Sequence, residues 1–162
     1  MTIGKGSAGL WQRAAGSRWA LVPLRLMVGF GFAAHGYAKL ARGPENFAAI
    51  IRAMGIPAPN QMAWMTSLLE LLGGIALMLG AYVAPVSVPL VVVMATALFG
   101  VHLRYGFSSI RLQAMTPSGA VFGPIGYELN LLYIAALLAL ATSGPSPLSL
   151  DHRREARGKR LP

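Results

Sequence analysis

The chain contains no cysteine. Disulfides, thiolate metal centres, iron–sulfur clusters and thiol nucleophiles are therefore excluded together. So is disulfide formation of the quinone-linked four-helix kind, which needs cysteine pairs. Acidic residues are also scarce, with five Asp and Glu against fourteen Lys and Arg. Charged residues make up 12% of the chain, against ~25% in ordinary soluble domains. A chain with so few charges has little with which to cover a soluble surface. No metal site is expected.

What is abundant is apolar: 55% of the 162 residues are hydrophobic, with 19 Gly and 11 Pro, both better tolerated in membrane helices than in soluble ones. The length suits one bundle and leaves no room for a second domain. The net charge of +9 is unevenly spread. Arg153, Arg154, Arg157, Lys159 and Arg160 form a basic tail, whose simplest partner is anionic lipid rather than nucleic acid.

Four apolar runs follow in order. The first spans about Trp19 to Leu40, the second Met62 to Val83, the third Val86 to Leu103 and the fourth Pro124 to Ser143. Each is long enough to be read as a membrane span across a ~30 Å core. Pro23 and Pro89 are expected in first turns, where a missing N–H costs little, and Ala84-Pro85 is expected to form the tight turn between the second and third runs. No cleavable signal peptide is expected, because the first run is longer than a signal h-region and contains Arg25. Residues 1–18, with Trp11 and three basic residues, read as a short interfacial segment. In the first loop, Phe47, Ile50, Ile51 and Met54 recur at helical spacing and predict a short amphipathic helix. The second loop, Arg104 to Gly123, reads as a structured cap.

The expected architecture is all-α: an integral membrane four-helix bundle over residues 19–143, preceded by segment 1–18 and followed by the basic tail 144–162. The two termini hold eight basic residues and the two long loops five. By the positive-inside rule both termini face the cytoplasm of a bacterial inner membrane.

Polar residues inside the runs are the candidates for function. In RLMVGFGFAAHGYAKL, Arg25, His35 and Lys39 fall within an arc of roughly 80° on a helix. Glu70 lies ~12 Å in from the outer end of the second run. His102 ends the third and Glu128 opens the fourth, so each run brings an ionisable group to the outer half. His35, Glu70, His102 and Glu128 are thus expected around one cavity. Lys39 and Arg104 are placed at its mouth, with Phe32, Phe99 and Tyr127 as walls. Arg25 lies deeper and is expected to be neutralised by Glu70. The plainer possibility is that the same polar groups bond directly to one another and lock the helices together.

RLMVGFGFAAHGYAKL, ELLGGIALMLG from Glu70, VHLRYGF from Val101, GYELNLLYIAALLAL from Gly126 and SLD at Ser149 to Asp151 resemble the DoxX family of small four-span membrane proteins. The resemblance covers about Leu21 to Asp151. Relatives often carry Gly-Arg before the terminal SLD, where this chain has Ser146-Pro147-Leu148. The resemblance implies a small subunit of a quinone- or quinol-linked membrane oxidoreductase. Three readings stay open: such a subunit, with histidines on the quinone carbonyls and a carboxylate moving the proton; a non-catalytic subunit anchoring a partner protein or a second copy of the chain; and a carrier of a small amphipathic solute. A quinone is the expected cofactor. Haem is disfavoured, since two histidines on two helices arise readily by chance.

Overall fold

The computed structural model describes residues 18–158. The expected interfacial segment with Trp11, and Lys159 and Arg160 of the tail, lie outside the described residues. After a single 3₁₀ turn, α1 runs Leu21–Ala41. A short helix α2, Pro44–Ala53, is followed by α3, Pro59–Leu79, and α4, Val83–Ala97. α4 continues through a π turn, Leu98–His102, and a 3₁₀ turn to Tyr105. Then come strands β1, Leu112–Thr116, and β2, Gly119–Phe122, and helices α5, Glu128–Thr142, and α6, Leu150–Gly158. α1 lies against α3, α3 against α4, α4 against α5, and α5 back against α1. α3 and the continuous Val83–Tyr105 helix are long and apolar enough to cross a membrane. α5 is apolar but shorter, at 15 residues.

The closest helix pair is α1 on α3, and glycine makes it possible. A Cβ on Gly29 would stand 2.6 Å from the Gly74 carbonyl, and one on Gly36 would stand 2.7 Å from the Ser67 carbonyl. Neither position admits a side chain, so the two backbones touch. Around this seam Val28, Phe32, Leu77, Leu90, Leu137 and Leu140 form the main core, and Phe32 meets Tyr133 edge to face at 5.3 Å.

α2 forms where apolar spacing predicts it, started by Pro44 and with Glu45 in its first turn and Arg52 in its last, each favourable to the helix dipole. Ala48 and Ile51 bury against Ala63 of α3.

Two expectations are corrected. The turn between α3 and α4 is Gly80–Tyr82, not Ala84-Pro85. Gly80 takes the left-handed conformation at φ 66°, and the Ala81 N–H donates back to the Ala76 carbonyl at 2.8 Å, ending α3 in a glycine stop. α4 therefore starts earlier, and Pro89 falls in its interior rather than its first turn. The second correction concerns the all-α class. The second loop holds an antiparallel hairpin, closed by Thr116 and Gly119, with a bulge between Leu112 and Ala114. Gly119 at φ 123° and the bond from Thr116 Oγ1 to the Gly119 carbonyl (2.9 Å) make its turn.

Candidate functional site

Two buried ionic centres sit at opposite ends of the helices. At the loop end, α1 finishes, α2 lies across and α3 begins. At the tail end, the chain enters α1, α3 turns into α4, and α6 begins.

The loop-end centre is Lys39 with Glu70. Gly36 seats α1 on Ser67 and Leu71 of α3, which brings Glu70 within about one helical turn of Lys39. The Lys39 ammonium donates to both Glu70 carboxylate oxygens at 2.6 Å. Glu70 is 2% exposed, whereas the Lys39 side chain keeps 22%. Phe47 of α2 covers the ammonium, its ring centroid 4.3 Å from Nζ. A strong buried ion pair, roofed by an aromatic ring, thus ties α1, α2 and α3 together.

The tail-end centre is Arg25, which is 2% exposed. Its Nη2 donates to the Leu148 carbonyl at 3.4 Å, and Nε and Nη1 find no partner among the described residues. The expected Arg25–Glu70 pair does not form. The Gly29–Gly74 contact sets Arg25 level with the end of α3, eight or more residues and therefore ~12 Å from Glu70. The guanidinium instead lies against Gly80 and Ser149, within reach of the Asp151 charge.

Around Arg25 the segment 146–151 folds as a latch. Asp151 accepts hydrogen bonds from the backbone N–H groups of Tyr82 and Val83, each at 2.9 Å, capping α4 from outside its own helix. The Asp151 N–H returns a bond to the Gly80 carbonyl at 3.0 Å. Buried Ser149 donates to the Ser146 carbonyl and accepts from the His152 N–H. Arg154 of α6 stacks over Tyr82 at 4.2 Å.

The other candidates do not gather into one cavity. His35 is exposed, and among the described residues no hydrogen-bond partner for it is found. On the helix it falls about 20° outside the buried arc that ends at Val28, so the narrow stripe straddles the edge of the packed face. His102, at the end of the π turn, shares a hydrogen bond with the Ile125 carbonyl at 2.9 Å. Glu128 accepts from the Ser109 N–H at 3.0 Å and holds the second loop onto α5. Arg104 is exposed and stacks on Tyr105 at 4.8 Å. Phe99 is 71% exposed, and Tyr127 packs edge to face on Phe107 at 5.7 Å. Phe32 belongs to the core. Asn130, also buried, donates to the Met94 carbonyl at 3.3 Å and joins α5 to α4. Among the described residues no group of His, Cys, Asp and Glu is arranged to hold a metal ion.

Each centre matches a stretch that the sequence marks out: the HG-x-x-K-L element carries Lys39, the E-x-x-GG element opens with Glu70, and the SLD triplet forms the latch. The DoxX family model matches residues 20–103, which takes in Arg25, Lys39 and Glu70. The chain belongs to the DoxX family. This DoxX protein is 31% identical over 132 residues to an uncharacterized protein of Haemophilus influenzae, covering 80% of the chain and 87% of that relative. It is 28% identical over 170 aligned positions to an uncharacterized membrane protein, Rv3486, of Mycobacterium tuberculosis, covering 97% and 96%. No solved structure matches it. Family and relatives make it a membrane protein.

Proposed function

We propose that this DoxX protein crosses the bacterial cell membrane four times, with both termini in the cytoplasm, and serves as a small non-catalytic subunit of a quinone- or quinol-linked oxidoreductase. The apolar faces of α1, α3, α4 and α5 and the basic tail support the topology. The link to an oxidoreductase rests on the family. The observation that carries the non-catalytic reading is the Lys39–Glu70 bond. Both carboxylate oxygens are engaged by one ammonium at 2.6 Å, which is how a structural lock is built. A quinone-site acid would need an oxygen free to meet the substrate.

Affinity purification of the tagged chain from its native membrane, followed by a quinol oxidase assay, tests the assignment. The expected result is co-purifying subunits that oxidise quinol, and no turnover by the chain alone. Turnover by the chain alone would overturn the non-catalytic reading. So would a Glu70→Gln assembly of normal yield whose quinol oxidation has collapsed. For the topology, a C-terminal fusion to a reporter active only in the periplasm should stay silent; activity there would invert the orientation.

A further inference from the structure

The membrane-facing surface between α3 and α4 is cleft. Gly73 has no side chain to fill the space, and its Cβ position would only just touch Leu90 and Val86 at 3.4 Å. Gly73 and Val86, with Leu68, Leu72, Tyr82 and Pro89, line an open, almost wholly apolar furrow of about 540 Å³. From Ala76 back to Leu68 it runs ~12 Å along α3, within one half of a ~30 Å hydrocarbon core. A second, smaller cleft of about 220 Å³ runs between α4 and the end of α5, and shares Tyr82 and Pro85 with the first.

The two clefts meet beneath a cation. Arg154 stacks on the Tyr82 ring with its side chain half exposed, and Arg153, Glu155 and Arg157 lie on the same short exposed helix. Asp151 lies in the second cleft and stands 3.7 Å from Arg154, but its oxygens are already occupied by the Tyr82 and Val83 amides. Over this helix three arginines stand against the carboxylates of Asp151 and Glu155, a net charge of +1, at the level where apolar furrows give way to the membrane surface.

We infer that this corner is a binding site for an anionic phospholipid: one acyl chain in the α3–α4 cleft and the phosphate on Arg154. The complementarity is of both kinds, since an apolar furrow recognises a chain and the stacked guanidinium recognises an anion. The site requires only that α3 and α4 lie in a membrane. It does not depend on the oxidoreductase assignment, and the topology reporter tests the membrane reading separately.

Native mass spectrometry of the full chain, released from detergent and titrated with phosphatidylglycerol or phosphatidylcholine of matched chains, tests it. One lipid should bind, with phosphatidylglycerol preferred by about fivefold, the factor expected for one arginine near the surface. Arg154→Gln, a surface change that should leave the fold intact, should reduce that preference to near parity, and Arg154→Lys should restore part of it. Gly73→Leu should fill the furrow and weaken both lipids alike. Equal binding of the two lipids by the wild type, or an unchanged preference in Arg154→Gln, would overturn the site. A cysteine pair engineered along the furrow that crosslinks two copies of the chain in native membranes would assign the furrow to a dimer contact instead.

Discussion

Two cations hold the ends of this protein, and they are held in different ways. At the loop end the partly exposed Lys39 meets the buried Glu70 carboxylate, at 2.6 Å to both oxygens, under an aromatic ring. At the tail end Arg25 has one long bond to a carbonyl and two N–H groups without partners among the described residues. The first is a satisfied pair, so its strength shows only when one partner is removed. The second is a charge held near Asp151 by the fold around it, and its removal takes away an imperfectly satisfied group. The comparison teaches that burial of a charge says little about its contribution. What matters is whether a partner is present to meet it.

The comparison is broken most sharply at the loop end. Lys39→Met should destabilise by about 3–5 kcal/mol, because it strands the buried Glu70 charge among the packed helices, and Glu70→Leu alone by less, because Lys39 keeps some exposure. The double variant should recover most of that loss, since two apolar side chains replace a desolvated pair. Thermal unfolding in detergent of the two single variants and the double variant measures the coupling. Losses that simply add would show that the pair does not lock the helices.

At the tail end the strongest handle is Asp151 rather than Arg25. Asp151→Ala removes the cap on two amides and should cost about 1 kcal/mol, within the usual range for a lost N-cap. Hydrogen exchange should rise at Tyr82 and Val83 and leave the Lys39 turn unchanged. If exchange at those amides does not change, the latch does not hold α4. Arg25→Met should cost less still, within about 1 kcal/mol, because it deletes a buried group whose bonds are poorly made. A loss as large as that of Lys39→Met would mean that Arg25 is paired as tightly as the loop-end lysine.

The sequence showed the elements better than their meeting points. The apolar runs, the short helix over Phe47 to Met54 and the family could all be read from residue spacing and motif. The ion pair could not, because pairing depends on the stagger of α1 on α3. That stagger is set by which glycines touch: Gly36 on Ser67 and Leu71, and Gly29 on Gly74. Gly29 and Gly36 read as small surfaces, but the register between two helices is not written in either one alone. Depth counted from helix ends puts Arg25 about 10 Å from Glu70, a mismatch that leaves Lys39 as the nearer partner. His35 lies outside the packed face, which a helical wheel does not show, because it gives an arc and not the edge of that face. The hairpin was hidden because its strands are four and five residues long and exposed, with no buried alternation to reveal them. Asp151 caps a helix 68 residues away in sequence, and no local pattern marks such a cap.

The finest difference between the two centres is the aromatic roof. Phe47 covers the Lys39 ammonium at 4.3 Å, and it also packs with Ala48 and Ile51 where α2 docks on α3. Phe47→Leu keeps most of the docking contact and removes the ring, so it should cost about 0.5–1 kcal/mol for the lost cation–π contact. The packing contribution can be separated by making the same change in the Lys39→Met, Glu70→Leu background. There no cation lies under the ring, and only the packing loss should remain. The difference between the two costs is then the interaction itself. Equal costs in both backgrounds would reduce Phe47 to a packing residue. A larger cost in the wild type would show that α2 seals the ion pair from above with an aromatic ring, a contact not found at Arg25 among the described residues.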